Sequence, residues 1–240
     1  MNKEEFINEL KKLNINITKQ NLENLDKYYN LLKEWNKKFN LTRIIEEEDV
    51  YLKHFYDSLC ILKTIDLKKH YNVLDIGCGA GFPGIVLSIF FPHLNLTLVE
   101  SNNKKCIFLN EVKRELNLHN VQIFCERAEI FCRNNIEKFD IATCRAVSHL
   151  SIISELCIPA IKKEGYFLPL KASLNEELTE SYKKIKDLNA EIINIFKYTL
   201  PYENSERSIP VIIKKGETNK IYPREYNKII KDLEKIRKMI

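Results

Sequence analysis

The sequence predicts an α/β protein built on a mostly parallel, doubly wound sheet. An antiparallel hairpin is expected at one sheet edge and a helical extension before the first strand. Three observations predict this fold. Four of the six glycines, Gly77, Gly79, Gly81 and Gly84, fall within eight positions, a clustering that lets a strand turn sharply into a helix. From residue 71 onward, apolar strand-length runs alternate with helix-length runs, the βαβ pattern of a parallel sheet. Near residue 200 two strand-like runs lie close together with Pro201 and Asn204 between them, which suits a hairpin.

The elements follow in order. Residues 3–12 and 18–39 read as helices. In the second, Leu22, Leu25, Tyr29, Leu32, Trp35 and Phe39 recur at three- and four-residue steps and form one apolar stripe, read as core. Thr18 stands where an N-cap is expected. Residues 46–62 read as a third helix. Strands are expected at 71–76, 95–100, 121–125, 139–144 and 164–170, with helices at 84–91, 103–117, 127–135 and 148–162. A charged helix at 173–188 then precedes the hairpin strands 191–198 and 207–214, and a helix at 224–239 ends the chain. The division expected is an N-terminal helical extension (1–65), a cofactor-binding domain (66–215) and a basic C-terminal helix (216–240).

Composition narrows the function classes. With 45% hydrophobic residues among 240, a sizeable core is available. No apolar run reaches the about 20 residues that span a bilayer. Met1–Glu5 lacks the basic-then-apolar pattern of a secretory signal. A soluble, cytoplasmic protein without membrane partners is expected, acting as a monomer. The seven cysteines include no C-x-x-C pair, so neither a zinc site nor a redox motif is indicated, and no metal site is expected. Residues 211–240 hold nine Lys/Arg against four Asp/Glu, which accounts for the whole net charge of +5. That segment reads equally as a phosphate-contacting surface and as a solvated helix face.

Gly79-Ala80-Gly81-Phe82-Pro83-Gly84 satisfies the G-x-G-x-x-G dinucleotide pattern, and Glu100 ends the second strand where a carboxylate accepts ribose hydroxyls. An NAD-dependent oxidoreductase has both features. Three details favour another ligand. Asp75, just before the glycines, suits an ammonium group better than a pyrophosphate, because like charges repel in a low-dielectric site. Pro83 removes one N–H at the helix start, which lessens its capacity for phosphate. Arg127-Ala128-Glu129 follows the third strand, where a backbone N–H and a carboxylate can read an adenine edge. A cofactor with an amino-acid moiety, a ribose and an adenine fits all three: S-adenosylmethionine.

The glycine loop Asp75-Ile76-Gly77-Cys78-Gly79-Ala80-Gly81-Phe82-Pro83-Gly84-Ile85 resembles that of the RsmG family, also called GidB. Further matches are Trp35 to Thr42, His54-Phe55-Tyr56-Asp57-Ser58, Glu100-Ser101 with Lys104-Lys105, Arg127-Ala128-Glu129, and Phe139-Asp140 running to Cys144-Arg145-Ala146. They keep the family's order and cover about residues 4–215. The resemblance implies a class I, Rossmann-like methyltransferase that moves a methyl group from S-adenosylmethionine to N7 of a guanine in small-subunit ribosomal RNA, free or in a ribosomal particle. It implies that Gly77, Phe82, Ala128 and Glu129 line the cofactor, that Arg145 stands at the active-site mouth, that His54 and Asp57 lie on a helix covering the cofactor pocket, and that Lys171 lies near the RNA or methyl-transfer site. With the loop residues read above, the expected cofactor-binding set is Asp75, Gly77, Gly79, Phe82, Glu100, Ala128, Glu129 and Arg145, and the expected catalytic set is Arg145, Lys171, His54 and Asp57. One departure stands out: the family has Lys-Gly after the fifth strand, and this chain has Lys171-Ala172. A methyltransferase of a different substrate and a non-catalytic nucleic-acid-binding protein remain as alternatives. Thr143-Cys144 also admits a cysteine nucleophile, but lacks a companion Pro-Cys element.

Overall fold

The computed structural model describes residues 1–172 and 174–239. Residue 173, where the charged helix was expected to start, lies outside the described residues, as does residue 240. A seven-stranded sheet runs through the molecule in the order β3-β2-β1-β4-β5-β7-β6. Its strands are β1 (Asn72–Ile76), β2 (Asn95–Glu100), β3 (Val121–Cys125), β4 (Phe139–Arg145), β5 (Ile161–Leu170), β6 (Ala190–Thr199) and β7 (Glu206–Lys214). The first five are parallel. Strand β7 is antiparallel to both neighbours and inserts between β5 and β6, which leaves β6 at the edge.

Successive side chains along a strand face opposite sides, and this chain uses both. Val73, Ile141 and Leu168 enter one core; Leu74, Ala142 and Phe167 enter the other. Helices α1 (Lys3–Lys12), α2 (Lys19–Phe39), α5 (Gly84–Phe90) and α6 (Asn103–Glu115) cover the first face. The second is covered by α7 (Ala128–Asn134), α8 (Leu150–Cys157), α9 (Asn175–Asp187) and α10 (Tyr226–Met239). Thr18 caps α2 in a reciprocal capping box with Asn21.

Two expected helices differ. Residues 46–62 do not form one α-helix. The segment breaks into α3 (Glu47–Asp49), a π-helical stretch Val50–Tyr56, α4 (Asp57–Leu59) and a 3₁₀ turn Cys60–Lys63. The wider π turn is held by packing, with Val50, Tyr51, Phe55 and Leu59 all fully buried, and such insertions recur where side chains must be re-aimed. The helix expected over 148–162 stops at Cys157. A short 3₁₀ turn carries Pro159, which cannot continue an α-helix, and β5 begins at Ile161.

The extension belongs to the same core as the sheet. Tyr28 of α2 is fully buried, stacks against Phe55, Phe82 and Phe108, and donates its hydroxyl to the Ala80 carbonyl at 2.5 Å. Thus α2 braces the glycine loop from behind. Strand order reverses between β1 and β4, and their carboxyl ends open a crevice, the usual ligand position in open α/β sheets.

Candidate active site at the carboxyl edge of the sheet

The loop between β1 and α5 forms the floor of this crevice. Gly77 adopts φ +64°, and a Cβ there would meet the Val147 side chain at 2.9 Å. Gly81 adopts φ +102° against the Tyr28 hydroxyl, a conformation other residues rarely enter. Two carboxylates hold the loop. Glu100 Oε2 accepts the Gly79 N–H at 3.0 Å, and its Oε1 accepts the Asn102 N–H at 2.8 Å. Asp75 is 0% exposed. Its Oδ2 accepts the Gly84 N–H at 2.8 Å, while its Oδ1 is buried with no hydrogen-bond partner among the described residues. Burial pushes the Asp75 carboxyl up to about 7, against the opposing pull of that N–H and of Arg145. Asp75, read from the sequence as suiting an ammonium group, is thus fully buried against the start of α5.

On the β3 side, a cleft of about 190 Å³ is lined by residues that include Gly77, Val99, Ala128, Glu129, Val147 and Tyr226. Ala128 opens α7, and the cap residue Arg127 makes no side-chain capping bond. The first N–H groups of a helix have no intrahelical acceptor. Glu129 lies beside Arg127, with Nε donating to Oε1 at 3.1 Å.

On the β5 side, a second cleft of about 530 Å³ gathers all four residues expected to be catalytic: His54, Asp57, Arg145 and Lys171. The His54 ring stacks on Phe82 with centroids 4.2 Å apart, and the Arg145 guanidinium lies 5.0 Å from the Phe82 centroid. Arg145 donates through Nη1 to the Lys53 carbonyl at 2.7 Å and through Nη2 to His54 Nδ1 at 2.9 Å. His54 Nε2 faces the Thr42 hydroxyl at 3.1 Å. Nδ1 accepts from a guanidinium that has no lone pair to offer, so the imidazole proton sits on Nε2. Burial and the adjacent Arg145 charge hold His54 down at about 3. The ring is therefore neutral near pH 7.

Asp57 is nearly buried and collects donors from separate elements. Its Oδ1 accepts the Tyr198 hydroxyl at 2.8 Å and lies 3.7 Å from Arg207 Nε; its Oδ2 lies 3.5 Å from Arg145. Burial raises the Tyr198 hydroxyl far above its usual value, with the Asp57 charge adding to it. Lys171 follows β5 and pairs with Ser208 of β7 through an isolated bridge. Its Nζ donates to the Ser148 carbonyl at 2.7 Å and sits 2.7 Å from Glu177. Ala172 does not take up positive φ, so the departure from Lys-Gly imposes no backbone strain. Cys144 is buried, and burial raises its thiol well above the usual range, which suits packing and not nucleophilic attack.

The GidB family profile, described as rRNA small subunit methyltransferase G, matches residues 21–204, well over half of the chain. This chain belongs to the GidB family. The GidB assignment is supported by a Bacillus pumilus (strain SAFR-032) protein called ribosomal RNA small subunit methyltransferase G. It is 46% identical over 228 residues, covering 94% of this chain and 95% of that protein. A relative of the same name from Desulforamulus reducens is 45% identical over 218 residues, covering 90% and 91%. Among solved structures, the fibrillarin/Nop5p complex superposes with a TM-score of 0.51 at 19% identity, covering 67% of this chain and 80% of that one. That likeness shows a shared fold. GidB membership makes the chain a methyltransferase and sets aside the oxidoreductase reading.

Sequence reasoning missed four residues of this GidB site. Thr42, Tyr198, Arg207 and Glu177 orient His54, Asp57 and Lys171; Thr42 ends the Trp35 to Thr42 match but has no expected role there, and the other three stand in no local motif. Tyr198 and Arg207 face each other across the β6–β7 hairpin, so the turn between them was the one sequence signal available.

Proposed function

We propose that the chain transfers a methyl group from S-adenosylmethionine to N7 of a guanine in small-subunit ribosomal RNA, as a cytoplasmic monomer with a class I methyltransferase fold. Family membership supports the reaction class. The cofactor fits the residues present. Gly77 gives close backbone approach, Glu100 stands at the end of β2, and Ala128 and Glu129 border a cleft of about 190 Å³. In this reading Asp75 and Gly79 act through loop shape: one locks the start of α5 and the other ties the loop to Glu100. The cofactor would supply an electrophilic methyl on its sulfonium.

The observation that carries the reading is Phe82. It belongs to the glycine loop, and His54 and Arg145 of the neighbouring cleft both rest on its ring. Guanine N7 bears a lone pair and no proton, so the attack needs no general base. A neutral His54 whose two nitrogens are engaged by Arg145 and Thr42 agrees with that. What the chain contributes is orientation, which can account for much of the acceleration of a two-substrate reaction. Arg145 retains N–H capacity for the guanine O6 edge, and Lys171 and Arg207 supply positive charge to the same cleft. Asp57 holds Arg145 and Arg207 in place. The target base would have to leave its stack, as it can in a loop or single strand.

The test is nucleoside mass spectrometry of small-subunit rRNA treated with the purified chain and S-adenosylmethionine. Appearance of 7-methylguanosine is expected. Methylation only at another atom, or only on a small molecule, would overturn the proposal.

A further inference from the structure

The C-terminal segment is basic, and its start is pinned by buried contacts. Arg224 grips Glu155 in a bidentate pair, with Nε at 2.8 Å from Oε1 and Nη2 at 2.7 Å from Oε2. Lys184 Nζ reaches the same Oε2 at 2.9 Å, and Arg133 donates to the Pro223 carbonyl at 2.8 Å. Beyond them, Ile229 and Leu233 sink into the core under α8 and α9. These anchors set Tyr226, the first residue of α10, in the lining of the cleft that Gly77, Val99, Ala128 and Val147 also border.

We infer that Tyr226 forms the outer wall of the adenine subsite, so that the C-terminal segment is part of the cofactor site. The inference rests on the S-adenosylmethionine reading above. The other cleft walls are aliphatic or polar, and among the described lining residues Tyr226 is the one aromatic. A purine face is best covered by a flat π surface. Tyr226 is half-buried, so it packs on the core and still borders the cleft, while Ile229 and Leu233 make the deep contacts of α10. The Arg127 guanidinium lies 5.1 Å from the Tyr226 centroid and also holds Glu129. Arg127 thereby links the ring to the residue read as gripping the adenine edge, and its cation–π contact fixes the ring's pose.

The experiment is a binding titration of the full chain with S-adenosylhomocysteine and, separately, with adenosine. It compares the unaltered chain with Tyr226→Phe, Tyr226→Leu and Tyr226→Ala, each checked for an unchanged unfolding midpoint. Tyr226→Phe should bind both ligands as the unaltered chain does. Tyr226→Leu, which keeps apolar volume, and Tyr226→Ala should weaken both by about three- to tenfold and by the same factor. RNA affinity without cofactor should not change. Equal affinities across the series overturn the inference while leaving the cofactor reading intact. So does a loss for S-adenosylhomocysteine that adenosine does not share, since it moves the effect away from the adenine. Failure of the unaltered chain to bind either ligand overturns the cofactor reading and this inference with it.

Discussion

His54 lies face to face with Phe82, their ring centroids 4.2 Å apart and their planes 15° apart. One ring comes from the π-helical stretch before the sheet and the other from the glycine loop after β1. The stack therefore ties the cleft that carries Arg145 to the loop that would carry the cofactor. Tyr28 stacks on Phe82 as well, so this ring is the meeting point of the extension, the loop and the catalytic cluster.

Removing that ring should be costly. Phe82→Ala leaves a cavity between Tyr28, Phe55 and His54, and large-to-small changes of this kind cost about 3–5 kcal/mol. Urea denaturation should show an unfolding free energy lower by that amount, read from a lower midpoint at an unchanged slope. A shift below about 1 kcal/mol would mean the stack does not carry the packing described.

His54 sets one pH dependence. Its folded value of about 3 lies below the 6.5 of the free side chain, so between these values the unfolded chain binds the extra proton. Stability should fall as pH drops from about 6.5 toward 3, by at most about 1.4 kcal/mol per unit from this group. His54→Gln should flatten that part of the curve. Activity should show no limb at neutral pH that His54→Gln removes.

Asp75 has the opposite sign. Its folded value of about 7 lies above the 3.8 of the free carboxyl, so the folded chain binds the extra proton between them. Stability should decline as pH rises from about 4 to 7. Asp75→Asn keeps an acceptor for the Gly84 N–H and carries no charge. It should be more stable than the unaltered chain at pH 8, by an amount that shrinks toward pH 4. The same difference at both pH values would contradict the buried, raised carboxyl.

Asp57 and Tyr198 make a graded pair. Asp57→Ala leaves the Arg145 charge in a nearly buried site without its carboxylate, a loss of about 3–5 kcal/mol when one partner of a buried pair goes. Tyr198→Phe removes one hydrogen bond to the same carboxylate, worth about 1.5–3 kcal/mol. Thermal or chemical unfolding of both variants should preserve this order. Methyl transfer should fall in both, with the KM for RNA affected more than the affinity for cofactor.

The sheet was largely legible in the sequence because its strands are short apolar runs closed by turn residues, and because four clustered glycines marked the crossing into α5. The start of β5 was less so. Its pairing with β4 shifts register between Phe139 and Ile141 of that strand, and Glu164 adopts positive φ. The polar run Lys162-Lys163-Glu164 hid a strand that is already paired at Ile161. The break over 47–63 was hidden for another reason. Val50 to Phe55 is apolar on several sides, so periodicity cannot separate a π turn from an α turn, and packing decides between them. Residues named from the glycine loop and the His54, Arg145 and Lys171 motifs lie together at one edge of the sheet. Of their partners, Thr42 and Glu177 lie near His54 and Lys171 in sequence, but Tyr198 and Arg207 reach Asp57 from the far end of the chain, and only the fold assembles them.

The most direct test of the central claim compares small-subunit rRNA from cells with and without the gene for this chain. The rRNA is digested to nucleosides and read by mass spectrometry, and the unaltered chain or Arg145→Ala is then supplied back. The account predicts that 7-methylguanosine disappears from the deleted strain, returns with the unaltered chain, and stays low with Arg145→Ala. Unchanged 7-methylguanosine after deletion would contradict it.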